Sequence, residues 1–280
     1  MRKLYSPKVV KEIIDLYGFR FSKSLGQNFL IDKNFVDKIV DGADISGKNV
    51  IEVGPGIGTI SYEMAKTCKK LVLIELDSSL IPILEENMSD FKNVTIINQD
   101  ILKTDLKEIQ DKYFGGEPFE FVSNLPYYIT TPIIEKIFEE DLDCRSMTIM
   151  VQKEVADRML ATEKDKDYSS LSVFVKYYSE AKFLTKVPKL VFMPQPKIDS
   201  AVLRLDLRVY DEKVNKEKLF ALVKAGFLKR RKTILNSLSA VAEKDDLKKV
   251  FETLGLKPNL RAENLSLDDY IKIADELENC

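Results

Sequence analysis

Apolar residues fall in short unbroken blocks along the first half of the chain. Asn49-Val-Ile-Glu-Val53, Leu71–Glu75, Asn93-Val-Thr-Ile-Ile-Asn98, Phe119-Glu-Phe-Val-Ser123 and a block closing at Thr148–Val151 each have the length and β-branched or aromatic content of a strand. Continuous rather than alternating apolar runs predict strands covered on both faces, as in a parallel sheet. The intervening stretches Thr59–Lys70, Ser79–Met88 and Pro132–Phe138 read as helices, with Pro82 tolerable in the first turn of its helix. Strand–helix alternation of this kind predicts an α/β fold with helices on both faces of a parallel sheet.

The texture then changes. Glu180–Val187 and Ser200–Leu207 read as strands joined by a proline-rich segment from Val187-Pro188 to Pro194-Gln-Pro196-Lys197. The second half of Ser200–Leu207 alternates apolar with polar residues, which predicts a sheet edge or hairpin strand. From Asn215 onward, Lys216–Leu228, Arg230–Val241, Asp246–Leu254 and Leu267–Leu277 place apolar residues three and four apart and predict helices. The expected organisation is one large domain over residues 1–209, beginning with an N-terminal arm (1–45), and a small all-helical domain over 210–280. The first 20 residues suggest no role.

Charge distribution adds a candidate partner. The net charge is only −2, but residues 1–30 carry six basic and two acidic side chains, and residues 182–235 carry 14 and five. Between these basic segments, residues 31–181 carry 17 basic and 28 acidic side chains. An acidic body flanked by basic segments can present one positive face to a polyanion. Lys229-Arg230-Arg231-Lys232 is the densest basic run and is expected to open a helix; its alternatives are phosphate contact or an ordinary solvated helix face. The chain contains no histidine, which excludes Ser-His and Cys-His catalysis and histidine metal ligation. Cys68, Cys144 and Cys280 are odd in number and lack metal-type spacing, as expected for a reducing compartment. No signal-like core and no run of about 18 apolar residues is present, so a cytoplasmic protein without membrane contact or metal is expected.

The chemistry concentrates at strand ends. Gly54-Pro-Gly56-Ile-Gly58 follows the first strand, and glycines there allow a tight turn and close approach of backbone to a ligand. The spacing differs from the dinucleotide fingerprint, and no Walker lysine follows, which disfavours a nucleoside triphosphate. Glu75 ends the second strand, 21 residues after Gly54, where an acidic side chain can accept from ribose hydroxyls. Asp100 ends the third and could take an adenine amino group. The fourth runs into Asn124-Leu125-Pro126-Tyr127. This tetrapeptide offers an amide oxygen and a backbone carbonyl to an exocyclic amine, with an aromatic face beside them. Taken alone it reads equally as a strand-to-helix turn punctuated by proline. The ordered set at the carboxyl ends of consecutive strands favours a ligand site.

Glu52-Val-Gly-Pro-Gly-Ile-Gly58 resembles the first motif of class I S-adenosylmethionine-dependent methyltransferases, and Asn124–Tyr127 is similar to the fourth motif of those that methylate exocyclic amines. Two further stretches, Ser24-Leu-Gly-Gln-Asn-Phe-Leu-Ile-Asp32 and Val191-Phe-Met-Pro-Gln-Pro-Lys-Ile-Asp-Ser-Ala-Val202, resemble the signatures of the ribosomal RNA adenine N6-dimethyltransferase family. Gly226–Leu238 is similar to its small-subunit (16S) branch. The resemblance runs from about residue 20 to the end. It implies a Rossmann-like seven-stranded sheet with its last strand antiparallel, S-adenosylmethionine as methyl donor, and 16S rRNA in a 30S subunit or its precursor as partner, bound by a monomer. It also implies roles. Asn28 and Leu30 fold over the cofactor, Gly54 and Gly56 approach its methionine moiety, Glu75 its ribose and Asp100 its adenine, and Asn124 lies between cofactor and base. The implied product is dimethylated N6 on two adjacent adenosines in a hairpin loop near the 3′ end of the RNA.

A base that reacts at N6 must leave its stack. Tyr127 is expected on one face of it and Phe192 on the other, with Tyr128 structural. Lys229, Arg230, Arg231 and Lys232 are expected on RNA phosphates. Two rival readings are a large-subunit rRNA adenine methyltransferase of the macrolide-resistance type and a non-catalytic RNA-binding or transcription factor on the same scaffold. A DNA adenine methyltransferase is disfavoured by the flanking family segments.

Overall fold

The computed structural model describes residues 3–22, 25–140, 142–163, 165–208, 214–229 and 232–278. Its strands are β1 (Phe29–Leu30), β2 (Asn49–Val53), β3 (Lys70–Glu75), β4 (Val94–Asn98), β5 (Phe119–Asn124), β6 (Cys144–Gln152), β7 (Ser179–Val187), β8 (Phe192–Met193) and β9 (Ser200–Leu207). Helices α1 (Pro7–Tyr17), α2 (Lys33–Ala43), α3 (Thr59–Met64), α4 (Ile81–Met88), α5 (Leu106–Phe114), α6 (Thr130–Glu139) and α7 (Lys153–Leu160) accompany the first six strands. Then come α8 (Ser170–Tyr178), α9 (Lys216–Leu228), α10 (Ile234–Leu238), α11 (Lys244–Thr253) and α12 (Leu267–Glu276).

Seven strands form one sheet in the order β4-β3-β2-β5-β6-β9-β7. The pairs β2–β3, β3–β4, β2–β5 and β5–β6 are parallel, and β9 runs antiparallel to β6. The expected fold class, including the antiparallel last strand, is what the chain adopts. Every residue of β2 is buried, and in β3 only Lys70 is exposed, consistent with cover on both faces. The strand order reverses at β2, so the carboxyl ends of β2 and β5 flank the switch point where open α/β sheets bind ligands.

The alternating strand is not an edge. β9 lies between β6 and β7, and its polar residue Arg204 is accounted for by neighbours. The guanidinium donates to the Gly42 and Ala43 carbonyls at the end of α2 (3.1 and 2.7 Å) and to Asp206 (2.6 Å). Those orphan helix-end carbonyls need donors, so a polar residue inside the sheet is consistent with its burial.

By internal contact the chain divides into Met1–Ala156 with Lys182–Leu207, and Asp157–Ala181 with Arg208–Cys280. The helical unit thus takes in residues 157–181, which the sequence pattern assigns to the large domain. Its core joins Tyr168, Val173 and Tyr177 to Leu219, Leu222, Val250, Phe251 and Tyr270, with the Tyr168 hydroxyl donating to the Leu265 carbonyl at 2.9 Å. The N-terminal residues also have a place: Leu4, Val10 and Ile13 are buried in the core of the sheet unit, and the Leu4 carbonyl accepts from Thr59 Oγ1.

Candidate active site

One cleft gathers nearly all the predicted positions. Asn28, Leu30, Gly54, Gly56, Glu75, Asp100 and Asn124–Tyr127 line it. The glycine loop turns through left-handed backbone at Gly54 (φ +64°) and Gly56 (φ +61°), conformations that cost a side-chain-bearing residue energy. A Cβ on Gly56 would stand 2.9 Å from the Phe29 ring, so glycine here lets the arm close down on the loop.

Glu75 is buried and its carboxylate is fixed by two backbone donors, the N–H of Gly56 (3.1 Å) and of Asp77 (2.9 Å). Burial raises its pKa against those two bonds. Asp100 caps the following turn by accepting from the Leu102 N–H at 3.0 Å. Two residues that lie within the quoted motifs, but to which the sequence reading gives no role, complete the wall. Glu52, 2% exposed, lines the cleft from β2; burial pushes its carboxyl up to about 8, opposed by a 2.5 Å bond from Ser61 and reinforced by Glu75. Gln27 lines it from the arm. Glu52 stands inside an apolar strand block, and a lone carboxylate there is the signal that could have found it.

The cleft therefore presents the Glu75 and Asp100 side chains as its acidic groups, with the Glu52 carboxyl held largely protonated near neutral pH, and no lysine or arginine lines it among the described residues. Such a wall repels phosphates and suits a cationic ligand rich in hydroxyl and amine donors. A sulfonium-bearing nucleoside fits that donor set. No group of three or more His, Cys, Asp or Glu residues that could hold a metal occurs among the described residues.

Asn124 closes β5 opposite Met150 of β6. Its Nδ2 donates to the Asn28 carbonyl at 3.3 Å, which commits the donor end of the amide to the arm. The Leu125 N–H donates to the Met150 carbonyl at 3.1 Å, and the Pro126 carbonyl accepts from Ile129 N–H and Thr130 Oγ1 (3.2 and 3.1 Å). The tetrapeptide is thus a strand-to-helix turn that lines the cleft. Tyr127 is half-buried, and its hydroxyl shares a 2.7 Å bond with Ser200, which sets the ring. Burial raises the phenol pKa against that bond, so the hydroxyl stays neutral.

The expectations for two aromatic side chains need correction. Phe192 is 3% exposed and belongs to the same core cluster as Phe29 and Leu30; β8 pairs with β1, Leu30 opposite Phe192 and Phe29 opposite Met193. Phe192 does not line the cleft and in this conformation offers no face to a base. Tyr128, expected to be structural, is 50% exposed and lines the cleft instead. Burial of part of the ring, then the Asp100 and Glu75 carboxylates, raise its pKa. In the basic run, Arg230 and Arg231 lie outside the described residues. Lys229 follows α9 and Lys232 precedes α10, both exposed, with Lys232 N–H bonded to the Lys229 carbonyl, so neither described lysine of the run opens a helix. Ser24 also lies outside the described residues.

Residues 18–279 match the family model for ribosomal RNA adenine dimethylase. The chain belongs to the ribosomal RNA adenine dimethylase family. Among curated relatives, the "Ribosomal RNA small subunit methyltransferase A" of Alkaliphilus oremlandii is 48% identical over 284 residues, covering 99% of both chains. The protein of the same name from Clostridioides difficile is 48% identical over 276 residues, covering 96% of this chain and 95% of the other. Among solved structures, a dimethyladenosine transferase from Plasmodium falciparum matches with TM-score 0.78 at 25% identity, covering 90% of this chain and 98% of that one. The 23S rRNA methyltransferase ErmE matches with TM-score 0.70 at 25% identity, covering 89% and 99%. In this member of the dimethylase family, the Asn124–Tyr127 turn and the acidic cleft lie together at one end of one sheet.

Proposed function

We propose that this protein uses S-adenosylmethionine to dimethylate N6 of two adjacent adenosines in a hairpin loop near the 3′ end of 16S rRNA, acting on a 30S subunit or its precursor in the cytoplasm as a monomer. The observation that carries the reading is the Asn124 amide on the cleft wall: its Nδ2 is committed to the Asn28 carbonyl, which leaves its oxygen as the atom that can accept from a base. The names borne by relatives at 48% identity support the small-subunit substrate.

When bound, the donor supplies an electrophilic methyl on a sulfonium. Asn28, Leu30, Gly54, Gly56, Glu75 and Asp100 would hold it, with the carboxylates matched to its positive charge. The chain's own work is on the nucleophile. The N6 lone pair of adenine is delocalised into the ring. Two acceptors, Asn124 Oδ1 and the Leu125 carbonyl, take the N6 hydrogens and favour a pyramidal nitrogen whose lone pair is localised. The same acceptors stabilise positive charge as it builds on N6, a fixed-dipole contribution of the oxyanion-hole type with reversed sign. Tyr127 stacks on the base and fixes its plane, contributing about 1–3 kcal/mol. Further acceleration comes from positioning. The alkylated N6 is acidic enough to lose its proton without a strong base, in keeping with a chain lacking histidine. Lys229, Arg230, Arg231 and Lys232 contact RNA phosphates, positioning the RNA without reading its sequence.

The test is transfer of labelled methyl to purified 30S and 50S particles. Label in 16S rRNA, with two dimethyladenosines by mass spectrometry, is expected; label confined to large-subunit RNA would overturn the substrate assignment. Asn124→Ala should abolish transfer while leaving RNA binding within about threefold, whereas full activity in that variant would remove Asn124 from the mechanism.

A further inference from the structure

The N-terminal arm is tied to the cleft by a side chain to which no role has been given. Gln27 Nε2 donates to Asp77 Oδ2 at 2.6 Å, while its Oε1 accepts from the Ser22 N–H at 2.7 Å. Asp77 is not isolated: its own N–H donates to Glu75 Oε1 (2.9 Å), and Glu75 Oε2 accepts from Gly56 N–H (3.1 Å). An unbroken chain of hydrogen bonds thus runs from the arm backbone through Gln27, Asp77 and Glu75 to the glycine loop. Burial alone would raise the Asp77 carboxyl; bonds from Ser79 and Gln27 outweigh it and hold it below its usual value, so the acceptor facing Gln27 is a carboxylate. Bonds to a charged acceptor are the stronger kind.

The next residue completes the geometry. Asn28 Nδ2 folds back to the Gly26 carbonyl at 2.8 Å, and the Asn28 carbonyl accepts from Asn124 Nδ2. Gly26 sits in left-handed backbone (φ +62°), where a Cβ would lie 3.7 Å from Tyr128 Cδ1 and 4.0 Å from Tyr127 N. The arm therefore crosses the cleft in contact with the acceptor turn, fastened on the Glu75 side by Gln27 and on the Asn124 side by the Asn28 carbonyl.

We propose that Gln27 is a positioning residue: its bond to Asp77 fixes the arm so that the Asn28 carbonyl can orient the Asn124 amide and the arm can cover the methyl donor. The donor-binding part of this inference rests on the function proposed above. The fastening itself does not. If four methyl groups are transferred, the donor must be exchanged repeatedly, and the Gln27–Asp77 bond is one of the contacts that hold the arm over it between exchanges.

The test reverses the polarity of the pair in the full-length protein. Gln27→Glu sets two carboxylates against each other. Adding Asp77→Asn restores a donor–acceptor pair, and the amide oxygen introduced there can keep the bond from the Ser79 N–H. Two readouts are taken: deuterium uptake of the 25–31 segment without ligand, and calorimetric affinity for S-adenosylhomocysteine. Gln27→Glu should speed exchange of the segment and weaken S-adenosylhomocysteine about tenfold each, the equivalent of one charged hydrogen bond. The double variant should return both to within about threefold of wild type. Exchange unchanged in Gln27→Glu, or no recovery in the double variant, would overturn the fastening. Faster exchange with unchanged S-adenosylhomocysteine affinity would overturn its role in donor binding. Failure of the wild-type protein to bind S-adenosylhomocysteine would instead count against the proposed function, and the exchange data would still judge the Gln27–Asp77 pair.

Discussion

Adding one methyl group to each of two neighbouring glycines should have unequal effects, and the inequality measures how closely the arm presses on the loop. Gly54 and Gly56 both have left-handed φ (+64° and +61°), so Ala at either position incurs about the same backbone cost, roughly 1–2 kcal/mol. Both substitutions also gain the same few tenths to 1 kcal/mol from a less flexible unfolded chain. The surroundings differ. At Gly54 the nearest atom to a new Cβ is Pro126 Cγ at 3.5 Å, an ordinary contact. At Gly56 two Phe29 ring carbons would lie at 2.9 and 3.1 Å, so the ring must move by roughly half an ångström to restore normal spacing. Phe29 cannot move freely, because its ring packs against Phe19 and Phe21 at centroid distances of 5.9 and 5.1 Å and its backbone pairs with β8. Overpacking of that kind costs about 1–3 kcal/mol. Gly56→Ala should therefore be about 1–3 kcal/mol less stable than Gly54→Ala, measured by urea denaturation of the two variants in one buffer. Phe29→Leu in the Gly56→Ala background should recover part of the difference, whereas the same change in Gly54→Ala should only destabilise. Equal unfolding midpoints for the two alanine variants would refute the reasoning, since the only difference invoked is the Phe29 contact.

Two further outcomes follow from buried groups. Glu52 carries a folded-state pKa of about 8 against an ordinary carboxyl in the unfolded chain, so between these values the folded state binds the extra proton and stability falls as pH rises. Glu52→Gln should remove about 2 kcal/mol of the loss seen on going from about pH 5.5 to about pH 7.5, and an unchanged pH dependence by denaturant titration would show that Glu52 ionises normally. Tyr127→Phe loses the Ser200 bond but keeps the ring; it should destabilise by about 1 kcal/mol while leaving kcat/KM for RNA within severalfold. Tyr127→Ala should lower kcat/KM by about 5- to 150-fold, the equivalent of a lost stacking contact; similar kinetics for the two variants would exclude stacking.

The positions most legible in the sequence are those fixed by local periodicity. Each parallel strand ends where its apolar block ends, so Gly54, Glu75, Asp100 and Asn124 can be aligned across the sheet from the order of residues alone. The misreadings share one cause, pairing between distant parts of the chain. Phe192 looks available because its segment is proline-rich, but its place is set by β1, over 160 residues upstream, which no local pattern reveals. Of the two places expected for β9, edge or hairpin strand, the edge fails because Arg204, which breaks the apolar run, finds its partners in carbonyls at the end of α2. Residues 157–181 share a core with α9 and α12 through Tyr168 and Tyr177, contacts invisible in their own sequence. Ile234, Leu235 and Leu238 supply the spacing from which a helix opening at the basic run is expected, yet the described lysines of that run, Lys229 and Lys232, lie outside α9 and α10. Gln27 and Asp77 escape notice because a glutamine and an aspartate 50 residues apart carry no joint signature.

The β1–β8 clasp also constrains how the protein is made. Phe29 and Leu30 emerge from the ribosome early, but the strand that covers them, Phe192–Met193, is synthesised more than 160 residues later. At the usual pace of about 5–20 residues per second, the arm waits for roughly ten to thirty seconds with two large apolar side chains lacking their native partner. The glycine loop and β3 can form in that interval, but the roof of the cleft cannot. A nascent chain shorter than about 195 residues should therefore lack the closed arm, and donor binding should arise late in synthesis, only after nearly the whole sheet unit has been made.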